Sequence, residues 1–211
     1  MTEDEAPEED YTSVPYGEFV ESILPLYAGP QVSILIGSSS KYRLPKALIC
    51  KRSCYFRAAL EGGFEEGVEQ SMTLTEEEGV VSTESFEKLV QWLYLDRVGF
   101  NDASPEEEVT ATIEFVRLAD MCGVTGMEKR MAERIIAIID AHPDPESGSR
   151  QSRHPDFNTH HLTPDHILSV SFLPPKTSRT SYISLCFRRG LPAKPGLQIS
   201  SLYHDGPQFC L

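Results

Sequence analysis

The sequence lacks the features that place a protein in or across a membrane. In the 211 residues, no apolar run approaches the roughly 20 residues that a membrane-spanning helix needs. The start, MTEDEAPEED, has neither a basic segment nor an apolar one, so it does not have the form of a secretory signal. The five cysteines are an odd number without disulfide-framework spacing, which favours a reducing compartment. We therefore expect an intracellular protein, cytoplasmic or nuclear, that makes no contact with membrane.

The sequence also lacks the short motifs of common enzymes. It has no Gly-x-Ser-x-Gly nucleophile motif, no complete phosphate-binding loop and no dinucleotide-binding glycine pattern. The segment 37–41, GSSSK, lacks the second Gly and the Lys-Ser/Thr ending of a phosphate loop, and we interpret it as a hairpin turn. These absences leave no candidate for a catalytic nucleophile or a nucleotide-binding loop, and we expect no cofactor.

Histidine and cysteine are too scattered to form a recognisable zinc site. Such a site needs two pairs of ligands, each pair two to four residues apart. His160 and His161 are adjacent, and Cys50 and Cys54 lie on either side of a predicted break between helices. Buried thiols and solvated histidines are therefore the favoured interpretation. A metal-binding or metal-dependent module is kept as an alternative.

Negative charge is concentrated in the first two thirds of the chain. The formal net charge is −13, and six of the first ten residues are acidic. From residue 148 onward seven Lys and Arg face three Asp and Glu, a surplus of +4, so residues 1–147 carry −17. An acidic body repels phosphates, which argues against nucleic-acid binding. We predict that residues 1–16 form a disordered acidic tail.

Residues 31–60 show the clearest succession of secondary-structure signals. An apolar run, 32–36, stops at Gly37, and a short alternating run, 42–44, follows, which predicts a β-hairpin. Pro45 suits the first position of a helix. Ser53 can cap a second short helix that ends at the glycine pair 62–63.

Further elements are predicted on both sides of this segment. Apolar residues at positions 19, 20, 23 and 24 predict a short amphipathic helix that ends near 25–29. The alternation at 71–74 predicts a third strand, and an apolar stripe over 86–94, with Trp92 half-buried beside it, predicts a helix. Capping boxes at Ser104 and Thr125 predict the starts of two more helices, and Met127 and Met131 on the second are expected to fill the core.

This arrangement resembles the BTB/POZ interaction domain, in the version found in many small fungal proteins, over residues 19–141. The matching residues are Lys46-Ala47-Leu48-Ile49, Ser53-x-Tyr55-Phe56, Ala58-Ala59-Leu60, Gly63-Phe64-x-Glu66-Gly67, Gln91-Trp92-Leu93-Tyr94 and Leu118-Ala119-Asp120. The resemblance implies an α+β fold, a cluster of short helices flanked by a small three-stranded sheet. We place the domain at 17–141, with its core at 30–98 and following helices at 104–141.

The resemblance also implies a domain that is not an enzyme and that binds protein partners. In the family, the helix before the first strand often packs against the same helix of a second chain, which implies a homodimer. Some members bind a cullin-type ubiquitin ligase scaffold, and a substrate adaptor for such a ligase is the rival interpretation. The interface residues implied by these two uses are Phe19, Val20, Ile23 and Leu24 for the dimer and Tyr55, Phe64, Val68 and Glu69 for the adaptor.

Three positions depart from the family pattern. Gln31 replaces the Asp that many members place before the first strand, and Pro45 replaces a His. Both changes weaken the case for the charged pocket with which some members bind corepressors. Gln70 stands where cullin-binding members often have Glu, and a neutral amide loses the charge-assisted hydrogen bonds of a carboxylate.

The carboxyl-terminal third is predicted to be a linker over 142–161 and a remnant of a following helical region over 162–178, with Thr163 as the cap of a helix. Residues 179–211 are unassigned, since glycines and prolines interrupt them too often for a packed element. A shifted or unspliced reading frame would explain this end. A truncated gene product without retained function is therefore a further alternative.

Overall fold

Short helices and a three-stranded sheet share one hydrophobic core, which confirms the predicted α+β class. The structure is a computed structural model that describes residues 15–38, 40–100 and 104–142 together with Thr163 and His166. The predicted acidic tail up to residue 14, the linker and the unassigned end lie outside the described residues. The predicted domain boundaries remain predictions.

The first helical segment is built from three consecutive pieces. These are α1 (Tyr16–Glu18), a π-helical turn (Phe19–Ile23) and α2 (Leu24–Tyr27). Pro25 has no N–H and cannot donate a helical hydrogen bond. The N–H of Leu24, the residue before it, donates to the carbonyl of Phe19, five residues back, which is the spacing of a π-helix. The segment therefore passes through Pro25 and ends after Tyr27, close to the predicted end.

The sheet has the order β2-β1-β3 and is mixed. Strand β1 (Gln31–Ile36) pairs antiparallel with β2 (Ser40–Pro45), which confirms the predicted β-hairpin. Strand β3 (Ser71–Leu74) pairs parallel with β1, with Ser71 beside Ser33. Every second residue of β1 is buried, at Val32, Ile34 and Ile36, as expected for a strand with one face on the core.

Pro45 is not the first residue of a helix, contrary to the prediction. It ends β2, opposite Gln31, with an extended ψ of 122°, and α3 (Lys46–Arg52) begins one residue later. The N–H of Lys46 donates to the carbonyl of Pro30 at 2.9 Å. The pairing of β2 with β1 therefore delays the helix by one position.

Ser53 separates α3 from α4 (Cys54–Glu61) and is almost completely buried. Its hydroxyl oxygen accepts a hydrogen bond from the N–H of Phe56 at 3.0 Å, as predicted for a helix cap. The same hydroxyl donates to the carbonyl of Cys122 at 2.5 Å. The cap of α4 is thus also a link to a residue 69 positions away.

The next helices are α5 (Glu65–Glu69) and α6 (Thr83–Leu95). Helix α6 begins with a reciprocal capping box between Ser82 and Ser85 and carries the predicted apolar stripe into the core. Trp92 was expected to be half-buried but is completely buried, with its ring 6.3 Å from that of Phe115. Packing against a later helix explains the difference.

Helix α7 (Pro105–Met121) begins at the predicted cap, with the hydroxyl oxygen of Ser104 accepting from the N–H of Glu107 at 3.2 Å. The prediction for α8 was wrong at its start. Helix α8 (Glu128–Ala141) is preceded by Met127, and Thr125 does not cap it. Gly126 has a φ of +101°, so the backbone turns away from the helix before residue 127. The carboxylate of Glu128 accepts from the N–H of Gly126 instead.

Apolar residues from all three strands and from α3, α4, α6, α7 and α8 form the core. Met127 and Met131 are buried in it, as predicted, and so are Ile135 and Ile138. The sheet and these helices therefore share one core.

We predict that Ser53→Ala lowers the free energy of unfolding by about 2–4 kcal/mol. The change removes a helix cap, worth about 1 kcal/mol, and leaves the buried carbonyl of Cys122 without its donor, which costs about 1–3 kcal/mol. Urea titration followed by circular dichroism measures the loss. Ser38→Ala, in the exposed hairpin turn, is the control and should change stability little. Equal stability of the two variants would contradict the role assigned to Ser53.

Candidate protein-interaction surfaces

Two groups of apolar side chains are exposed where the sequence predicted interfaces. The amino-terminal patch consists of Phe19, Val20 and Leu24. The α4–α5 patch consists of Tyr55, Phe64 and Val68. Of the predicted interface residues, Ile23 is buried in the chain itself and Glu69 is exposed beside Val68.

The amino-terminal patch is one side of the first helical segment. Val20 is 55% exposed and Leu24 is 47% exposed, while Ile23 between them is buried. Residues four apart in a helical segment lie on the same side, so Val20 and Leu24 form a continuous apolar surface. Ile23 is buried and anchors the segment.

Tyr27 fastens the end of this segment to α6. Its hydroxyl donates to the carbonyl of Tyr94 at 3.3 Å, and the two rings are 5.5 Å apart. Burial, with a further contribution from Asp96, raises the pKa of Tyr27, so the phenol keeps the proton of this hydrogen bond at neutral pH. The amino-terminal patch is therefore presented on a held segment.

Two glycines allow α5 to lie close against the end of α4. A Cβ added to Gly67 would come within 2.7 Å of the carbonyl oxygen of Gly62. One added to Gly62 would collide with the carbonyl of Ala58 and come within 2.9 Å of the Phe64 ring. Only the absence of side chains permits this approach, and it leaves Phe64 and Val68 turned toward solvent, 63% and 83% exposed.

The α4–α5 patch has an acidic border. Glu61, Glu65 and Glu69 are exposed around it, and Glu66 is half-buried. Burial raises the pKa of Tyr55, with smaller contributions from Cys122 and Glu66, so its phenol stays protonated at neutral pH. The surface thus offers two apolar side chains, a hydroxyl group and carboxylates.

Gln70 is used by the chain itself. It has a left-handed conformation, with φ 51°, at the end of α5. Its side-chain amide donates to the carbonyl of Gly67 and, at 3.4 Å, to that of Leu60. The sequence comparison marked Gln70 as a lost acidic contact, whereas the structure shows it as a donor that closes α5 onto α4.

Sequence reasoning missed several features of these surfaces. Nothing in the sequence except the two glycines themselves indicated that Gly62 and Gly67 lie close together. Leu95, Met121 and Ile136 are also exposed apolar residues. They lie on α6, α7 and α8, outside the apolar positions that periodicity assigned to the core. His166 was expected to be solvated and is buried instead, which is a further error.

The described cysteines have the character of structural thiols. Cys50 and Cys122 are buried, and Cys54 is partly buried. Burial, with a smaller contribution from Cys54, raises the pKa of Cys122 to about 12, so this thiol is protonated at neutral pH and is a poor metal ligand or nucleophile. Burial, and then Glu61, raises the pKa of Cys50. Over the described ranges, no three His, Cys, Asp or Glu side chains are grouped as a metal site requires.

Within the described residues, no helix is both long and apolar enough to cross a bilayer.

Comparison with known proteins supports the family assignment. No curated protein matches the chain. The family model for the BTB/POZ domain matches residues 30–137, from the residue before β1 into α8. This match spans half of the chain and includes all three strands and the α4–α5 patch. The chain belongs to the BTB/POZ domain family, whose domains are protein–protein interaction modules.

Proposed function

We propose that this protein is a non-enzymatic interaction module that associates with a second copy of itself through the amino-terminal patch. The observation that carries the proposal is the exposure of Phe19, Val20 and Leu24 on a segment that is held by the buried Ile23 and by the bond of Tyr27 to α6. Self-association explains why a short helical segment held on the core keeps three apolar side chains in solvent.

A two-fold arrangement suits this surface. In a symmetric dimer the same patch lies on both sides of the interface, so a patch of apolar side chains packs against its own copy. Full burial of a Val or Leu side chain contributes about 1.5–3 kcal/mol, so covering a half-exposed one contributes about 1 kcal/mol. Four such side chains, two from each copy, would supply a substantial part of the energy of association.

A second candidate function is that of substrate adaptor for a cullin-type ubiquitin ligase. The observation that favours it is the exposure of Phe64 and Val68 on α5, held there by the contact of Gly62 with Gly67. Large exposed apolar side chains at one site mark a protein-binding surface. Tyr55, and Glu69 next to Val68, would contribute a hydroxyl and a carboxylate at its border.

The two proposed functions use different residues. The amino-terminal patch precedes the residues that the family model matches, and the α4–α5 patch lies within them. This separation lets each surface be tested by substitutions that leave the other intact.

We predict that the double change Val20→Asp, Leu24→Asp converts a dimer into a monomer. Each aspartate would place a charge in an apolar interface, where burial of an unpaired carboxylate is strongly unfavourable. We expect the dissociation constant to rise by at least about a hundredfold, which corresponds to about 2.7 kcal/mol. Sedimentation velocity over a range of concentrations of the full chain measures it.

The control is Ser22→Asp, which adds the same charge to an exposed position of the same segment. It should leave the dimer in place apart from a modest effect of repulsion. A wild-type chain that stays monomeric at the highest concentrations would reject self-association and favour the truncated-product alternative. A dimer that survives the double change would assign self-association to another surface.

We predict that Val68→Ala reduces recovery of the chain by an immobilised cullin scaffold. Val68 is the most exposed of the large apolar side chains in the described residues, and truncation removes its contact area. The matched control is Leu95→Ala, which truncates an equally apolar, exposed side chain at the end of α6. Equal recovery of wild type and Val68→Ala would rule out this contact.

We predict that Gln70→Glu destabilises the chain and does not create a better adaptor. A carboxylate cannot donate to the carbonyls of Gly67 and Leu60, and it would point negative charge at two oxygens. We expect a loss of about 1–3 kcal/mol in the free energy of unfolding, measured by urea titration. Gln91→Glu, at an exposed position of α6, is the control. Stronger scaffold binding at unchanged stability would show that the Gln70 side chain serves the interface instead.

A further inference from the structure

The three-stranded sheet has one face on the core and one face toward solvent. Side chains of residues paired across neighbouring strands point to the same side of a sheet, and so do those of alternate residues in one strand. On the solvent side, β1 contributes two half-buried residues, and their partners on β2 and β3 are exposed or half-buried. This outer sheet face consists of Ser33, Leu35, Lys41, Arg43, Ser71 and Thr73.

The outer sheet face is positive in a chain that is strongly acidic. Its charged residues are Lys41 and Arg43, and none of its six residues is acidic, whereas the whole chain has a net charge of −13. The side chain of Glu76 lies beside Gly37, at the hairpin end of the sheet. Exposed charges more than about 8 Å apart are largely screened at physiological ionic strength. The two cations are therefore the charges that act most on a ligand over the centre of this face.

The fold itself does not use the two cations. Within the described residues, no hydrogen bond or ion pair ties the side chain of Lys41 or Arg43 to the rest of the chain. Lys88, in contrast, is buried and paired with Glu84. Lys41 and Arg43 are both exposed, so an incoming carboxylate reaches them without displacing a contact of the fold.

The spacing of the two cations matches that of an extended peptide. Lys41 and Arg43 are two residues apart on β2, so their Cα atoms are separated by about 6.6 Å. Alternate side chains of an extended peptide have the same separation and the same direction. Two acidic residues at such positions would meet both cations together, and a guanidinium group can bind a carboxylate through two N–H groups. Leu35, opposite Lys41, adds an apolar contact, and Ser33, opposite Arg43, adds a hydroxyl group.

We propose that the outer sheet face binds an extended segment of a partner protein that carries acidic residues at alternate positions. The complementary charge of Lys41 and Arg43 selects this partner. A nucleic acid fits the face less well, because two cations neutralise few phosphates, the acidic body repels the others, and none of the six residues is aromatic. The face includes no residue of the amino-terminal patch or of the α4–α5 patch, so it is a third interaction surface.

Fluorescence anisotropy of a labelled peptide titrated with the full chain tests this proposal. The probe is TETETETE, and its matched peptides are the uncharged TQTQTQTQ and ETTETTETTE, which has as many glutamates but places them at every third position. We expect saturable binding of the probe and affinities about tenfold weaker for both matched peptides. No binding of the probe, or equal binding of all three peptides, would overturn the proposal. Tighter binding of a short oligothymidylate than of the probe would assign the face to nucleic acid and overturn it as well.

A pair of double variants separates the face from the charge of the whole chain. Lys41→Gln with Arg43→Gln should raise the dissociation constant of the probe about tenfold, which corresponds to about 1.4 kcal/mol. The control is Arg97→Gln with Lys129→Gln, which removes one Arg and one Lys from exposed positions outside the face. It should bind the probe as the wild type does. An equal loss of affinity in both double variants would refute a specific role for the outer sheet face.

Carbodiimide cross-linking followed by mass spectrometry identifies the carboxylate that meets Lys41. This reagent joins an ammonium group to a carboxylate in contact with it. We expect the ammonium group of Lys41 to be joined to a glutamate of the probe. The start of the chain is itself acidic, with six Asp and Glu among residues 1–10. A cross-link from Lys41 to that segment, in place of the probe, would assign the face to the chain itself and overturn the proposal.

Discussion

The hydroxyl group of Ser53 is the contact on which the arrangement of the helices depends. It is the cap of α4, and at the same time it donates to the carbonyl of Cys122, where α7 ends. Both bonds are buried, so water cannot replace either one. Gly123 follows directly with a φ of +61°, and a Cβ there would collide with the sulfur of Cys54. The position of α4 and the end of α7 are therefore fixed together, by one hydroxyl and one missing side chain.

This constraint extends to the α4–α5 patch. Because Ser53 fixes the start of α4, it also fixes where α4 ends, and the amide of Gln70 and the contact between Gly62 and Gly67 then hold α5 against that end. Lys46 adds a further bond, from its ammonium group to the carbonyl of Leu60 at 2.9 Å. These contacts thus fix the backbone that carries Phe64 and Val68, and the two side chains remain exposed. Their presentation is a consequence of the fold and not of a flexible loop.

Features that depend on neighbouring residues were predictable from the sequence, and features that depend on distant ones were not. The apolar run of β1 and the caps at Ser53 and Ser104 are local patterns, and the structure has them where the patterns placed them. The prediction for Pro45 was wrong because the pairing of β2 with β1 outweighed the preference of proline for the first position of a helix. The prediction that His166 is solvated was wrong because its hydrogen-bond partner, Thr110, lies 56 positions away in the sequence. The candidate surfaces follow the same rule, since the sequence named Val20 and Val68 by family resemblance, but only the packing of other elements shows that both are exposed.

The acidic composition of the chain has opposite consequences for its two surfaces. Glu18 and Glu21 lie on the helical segment of the amino-terminal patch, so a second copy brings like charges toward one another and the apolar contact must overcome their repulsion. Glu61, Glu65 and Glu69 border the α4–α5 patch, where they repel another copy of this chain but attract a partner with basic residues. Charge therefore favours a basic partner over a second copy at the α4–α5 patch, whereas the proposed self-association at the amino-terminal patch depends on apolar area that outweighs the repulsion.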